Sequence, residues 1–300
     1  MALVMAGCFT GVESTPKITY SDVKRANATA QPSAEQAFLS EIGPQPPTEW
    51  QPGKKFYVAD PKASIVFSST ADMSALAGQE VAFHAIRPVP SVTGQEVTEI
   101  EFVTPSGESV FYRDNLPYAE VAARQQLEVP FTIEMSIVDA VKKQLAGQKY
   151  FVVTPHWYTA DGSQAVNGLR YVEAEIVDVA PGSAIYPVRV VFHPLDGKPD
   201  ELYSMYMTVG NARTSTRNFF TLFAFNNPRD QFPRMDDETW DLISHSLVKL
   251  GMTRDECRLA LGTPQTVGQR ATTAGMVEYW SYSDGVYLLF EEGYLSYFRK

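Results

Sequence analysis

Three hundred residues are more than one small core uses and enough for two or three modules. Hydrophobic residues make up 44% and aromatics 12%, which excludes overall disorder, and no apolar run reaches the roughly 20 residues of a membrane-spanning helix. A formal net charge of −10 argues against nucleic acid, which is gripped by Lys and Arg on phosphates, and against a polybasic hold on anionic lipid.

The chain opens on MALVMAGC, an apolar stretch, then small residues, then a cysteine. Residues 9–36 are polar and rich in Thr, Ser and Ala, the composition of a tether. The opening resembles the lipobox of bacterial lipoproteins, with Met5 where that pattern prefers Leu. Residues 1–8 then read as a truncated lipoprotein signal, since only seven residues precede Cys8 and none is basic. The resemblance implies a lipid attached to Cys8 and a partner in the membrane, each buried methylene contributing about 0.8 kcal/mol. The run CFTGVESTPKIT is also similar to the mature start of a lipoprotein group from Bacteroides-type bacteria that has no assigned activity.

Ser33 and Gln36 have capping-box spacing, so a short helix over 33–43 is expected, followed by a proline-rich connector, PQPPTEWQP. From there to about residue 225 the pattern is β. KKFYVAD, SIVFSS, EVAFHAI, EVTEIEFVT and SVFYR are short β-branched and aromatic runs separated by turn residues. The organisation then repeats. GKKFYVAD at Gly53 answers GQKYFVVT at Gly147, 94 residues on, EVAFHAIRPVP answers RYVEAEIVDVAP, and a strand, Gly turn and aromatic strand follow in both. Each half suits a small closed barrel or a compact sandwich. Between them Ile133, Ile137, Val141 and Leu145 form one face of a linking helix ended by Gly147, although its upstream part, LEVPFTIEMSIV, reads also as a strand.

At the C-terminal end Asp236 or Asp237 caps a helix carrying Trp240, Ile243 and Leu247 on one face. Thr253 and Glu256 form a capping box for a second helix, with Met252 at the staple position, Gly262 as C-cap and Pro264 forbidding continuation. MVEYWSYSDGVYLLFEEGYLSYFRK follows as three strands turning at Asp284-Gly285 and Glu292-Gly293. Helix, helix and three strands make a two-layer ααβββ unit. Gly251, Met252, Thr253, Leu261, Gly262 and Pro264, then Trp280, Tyr282, Gly285, Phe290 and Gly293, resemble the SmpA/OmlA family of outer-membrane lipoproteins. The resemblance covers about residues 237 to 300 and implies the fold more than a binding site.

The fold class is therefore α+β and predominantly β. The expected layout is signal (1–8), tether and short helix (9–48), first β-module (49–132), linking helix and second β-module (133–235) and the α+β unit (236–300). The last hairpins are apolar on both faces, with Val286, Leu288 and Phe290 pointing one way and Tyr287 and Leu289 the other. Tyr279, Trp280, Tyr282, Tyr287 and Leu289 are the candidate interaction surface.

No catalytic residue, cofactor or metal ligand is assigned. His156 near Asp161 and His193 near Asp196 lack a nucleophile at motif spacing, the four histidines are scattered, and Cys257 reads as a small apolar core residue. The expectation is a non-enzymatic, lipid-anchored protein at the bacterial outer membrane, on its periplasmic side or the cell surface. Its role there is scaffolding or binding other envelope proteins, in assembly or integrity of that membrane. The alternatives are a glycan- or peptidoglycan-binding module and a hydrolase with an unrecognised site.

Overall fold

A computed structural model describes residues 38–69, 73–198, 200–210, 217–272 and 275–299. Cys8, the tether and the first half of the expected 33–43 helix lie outside them. From Leu39 onward the described chain forms one contact-linked unit, predominantly β. Leu39–Glu41 is a turn rather than helix, with Leu39 at φ 60°. The proline-rich connector is also more than a spacer. Pro47–Glu49 is a 3-10 turn that drops Trp50 into the first core, against Phe56 and Phe83.

The first sheet holds six antiparallel strands: β1 (Lys55–Val58), β2 (Phe67–Ser69), β3 (Glu80–Pro90), β4 (Glu96–Val103), β5 (Ser109–Asp114) and β6 (Thr132–Glu134). Two short helices, α1 (Ala63–Val66) and α2 (Tyr118–Ala122), interrupt them. The first half of the expected strand SIVFSS is thus helical. The order is β2-β5-β4-β3-β1-β6. β6 leads directly into α3 (Met135–Leu145), which buries Ile137, Val138, Val141 and Leu145.

The second sheet contains β7 (Lys149–Val152), β8 (His156–Thr159), β9 (Ala165–Asn167), β10 (Val172–Pro181), β11 (Val188–Pro194), β12 (Tyr203–Met207) and β13 (Phe223–Ala224), the last preceded by α4 (Phe219–Leu222). Its order, β13-β7-β10-β11-β12-β8-β9, repeats the first strand for strand, with β9 added at one edge. Local features repeat too. Gly53 and Gly147 both take positive φ and donate to Phe83 O and Ile176 O at 2.7 and 2.8 Å. The register of β3 on β4 slips between Phe83 and Ala85, and that of β10 on β11 between Ile176 and Asp178. In both sheets such a bulge sharpens the local twist. Phe67 meets Phe102 edge-on at 5.8 Å, and Trp157 meets Phe192 likewise at 5.1 Å. The antiparallel sheets are curled and form a half-barrel.

The C-terminal part departs from ααβββ by one strand. α5 (Asp237–Ser244) and α6 (Arg254–Leu261) are followed by β14 (Thr266–Thr272), β15 (Gly275–Ser281), β16 (Tyr287–Glu291) and β17 (Tyr294–Arg299), paired in that order. Asp236 caps α5 by accepting from Thr239 N at 2.7 Å. Both bonds of the Thr253–Glu256 capping box are present. Leu247, expected on the face of α5, lies beyond its end and is exposed. The helices cover one sheet face, where Trp240, Ile243, Met252, Cys257, Ala260, Trp280, Leu288 and Phe290 share a core. Arg170 and Tyr171 fasten this part to the second sheet. Arg170 donates to Ser246 Oγ and Val153 O at 3.1 Å, and Tyr171 donates to Leu259 O at 3.2 Å.

Candidate functional site

Side chains alternate across a strand, so the register of β15 on β16 settles which candidates share a face. Tyr279 opposes Leu289, Trp280 opposes Leu288, and Tyr297 of β17 opposes Leu289 from the far side. Tyr279, Tyr287, Leu289 and Tyr297 therefore line the face away from the helices. Tyr279 and Tyr287 stack with centroids 6.1 Å apart, and Tyr297 is 52% exposed.

Trp280 does not belong to that surface. It is fully buried, its indole N–H donates to Glu278 Oε1 at 2.7 Å, and its ring lies 4.7 Å from Phe290. Tyr282 is also turned inward. Its hydroxyl donates to Gly262 O at 3.3 Å, and burial pushes its pKa well above the ordinary tyrosine value. Three of the five sequence candidates thus come together, and Tyr297 joins them.

A second feature was not legible in the sequence. On the second sheet Tyr158 (β8) and Tyr206 (β12) meet edge-on at 5.1 Å. The β10–β11 turn adds Ser183 and Tyr186, and Arg217 completes a cleft of about 300 Å³. The Arg217 guanidinium sits 5.5 Å from the Tyr158 ring and 5.3 Å from the Tyr186 ring, and Nη2 donates to Tyr158 Oη at 3.4 Å. Tyr206 is braced from behind by donating to Gly162 O at 3.1 Å, and burial raises its pKa. Gly162, at φ 79°, must lack a side chain, because a Cβ there would lie 2.1 Å from Tyr206 Oη.

The histidine–aspartate pairs take other roles. Asp161 accepts from Thr159 Oγ1 and from the amide and hydroxyl of Ser163, which hold its pKa down at about 2. His193 Nδ1 faces Glu201 O at 3.1 Å. Burial, with Arg170 and Arg217 nearby, lowers the pKa of His156. Cys257 is fully buried, and its thiol is pushed up to about 12, far from a reactive thiolate. Among the described residues no group of three or more His, Cys, Asp and Glu side chains gathers as a metal site. No family model, curated protein or solved structure matches the chain, so function is read from the sheet face and the cleft.

Proposed function

We propose that the chain is a cell-envelope protein held at the bacterial outer membrane by acyl groups on Cys8, and that it acts there without catalysis by binding a partner protein. The observation that carries the recognition role is the tyrosine-rich outer face of the C-terminal sheet, where Tyr279, Tyr287, Leu289 and Tyr297 form one continuous aromatic and aliphatic strip. Tyrosine suits such a surface because its ring buries area on contact while its hydroxyl tolerates water beforehand. The lipobox-like start and polar tether support the membrane setting, and the SmpA/OmlA resemblance of residues 237 to 300 supports outer-membrane assembly as its context.

Two measurements test this reading. Cells fed labelled palmitate should label the protein, and Cys8→Ala should abolish the label and move the protein to the soluble fraction. A photo-crosslinking residue at Tyr297 should capture a discrete envelope protein, whereas one at Val92, fully exposed on the β3–β4 turn, should not. An unlabelled native chain defeats the anchor; equal capture, or none, at the two positions defeats the recognition surface.

A further inference from the structure

We propose that the tyrosine–arginine cleft of the second sheet binds a sugar ring that carries a carboxylate. This rests on neither the Cys8 anchor nor the outer face of the C-terminal sheet. The first support comes from comparing the two sheets position by position. Their registers place Tyr158 where the first sheet has Ser68, Tyr206 where it has Arg113, and Arg189 where it has Glu99. In the first sheet that strip is occupied by its own charges. Glu99 pairs with Arg87 at 2.7 Å and Arg113 at 2.8 Å, Glu101 pairs with Arg87 at 2.6 Å, and Arg87 lies over the Phe111 ring. In the second sheet the same strip has exchanged this lattice for aromatic rings around an opening.

The second support is the chemistry of the lining. Three tyrosine rings offer flat apolar walls with hydroxyl rims, a surface that matches the C–H face and the hydroxyl edge of a pyranose. A small inorganic anion would leave those walls unused. Ser183 Oγ accepts from Tyr186 N at 3.1 Å, which leaves its proton to donate. Arg217, held between two rings, is a planar donor fork suited to a carboxylate. Arg189 lies on the same face and donates to Ala160 O, and the nearby Asp161 already has its donors. A volume of about 300 Å³ is at the lower end of the ~300–1,000 Å³ typical of small-molecule sites, room for one or two rings.

The carboxylate has two natural sources, a lactyl ether of the cell-wall type and a uronic acid of the polysaccharide type. Calorimetric titration of the full chain with N-acetylmuramic acid and with glucuronic acid separates them, with N-acetylglucosamine and glucose as the neutral counterparts. At least one acid is expected to bind more tightly than its neutral counterpart by about tenfold, the effect of one charge-assisted contact. Arg217→Gln should erase that preference, and Tyr186→Ala should weaken acid and neutral sugars alike. Amide shift changes on the wild-type chain should centre on Tyr158, Ser183, Tyr186 and Tyr206, which keeps the test independent of how the variants fold. Failure of both acids to bind, equal affinity for the neutral sugars, or shift changes centred elsewhere would each overturn the proposal.

Discussion

Lys54 and Glu134 show what one pair of residues does for the first sheet. Their side chains are only 9% and 4% exposed, and Lys54 Nζ sits 2.5 Å from Glu134 Oε1, which also accepts from Gln45 N and Ser136 Oγ. Lys54 lies 6.0 Å from the Trp50 and Phe56 rings, so the charge is enclosed by aromatic surface. Glu134 Oε2 is buried without a hydrogen-bond partner among the described residues. Two charges in such a place are costly to desolvate, and either one alone costs more. Lys54→Met should therefore lower stability by about 3–5 kcal/mol, whereas Lys54→Met combined with Glu134→Leu should recover most of the loss. Chemical denaturation of the three chains measures both, and a single variant within about 1 kcal/mol of wild type would contradict the burial. At the corresponding positions the second half carries Gln148 and Phe225, so this polar lock belongs to the first sheet alone.

Among the elements, those whose signals are local were legible in the sequence. The helix α6 begins where Thr253 and Glu256 satisfy each other's amides, and no tertiary contact is needed to see it. The strand β7 falls 94 residues after β1 because both are the same alternation behind a positive-φ glycine. By contrast β14, TVGQRAT, carries too little apolar content to announce a strand. It pairs with β15 along its whole length, and the ring of Tyr279 lies across Gly268, where a Cβ would sit 2.2 Å from that ring. Gly268→Val should destabilise the chain by about 1–3 kcal/mol through this overlap, and adding Tyr279→Ala should relieve much of the loss, as thermal melts would show. If the two substitutions simply add, the loss does not come from the glycine–tyrosine overlap. The burial of Trp280 was within reach of the sequence as well. Tyr279 and Trp280 are adjacent on one strand and cannot share a face, so an aromatic count alone overstated the surface. The tyrosine–arginine cleft was beyond it, because positions 158, 183, 186, 206 and 217 converge only through sheet order and a turn.

Across the whole molecule the two large sheets are joined by α3 rather than by a loose linker. The helix follows β6 without an intervening residue, packs on β1, β10 and β11, and ties Lys142 to Asp178 at 2.6 Å. A division between residues 132 and 133 would fall inside β6, which pairs with β1 through Thr132, Ile133 and Glu134. A fragment beginning at Gly147 exposes the face of β10 that the helix covers, whereas one beginning at Met135 keeps it covered. The shorter fragment should aggregate and the longer should stay monodisperse in size-exclusion chromatography; equal behaviour would make the helix dispensable to the second sheet. The placement of α3 also means that neither large sheet ends where the other begins: one short helix, continuous with the last strand of the first, serves as a shared wall for both.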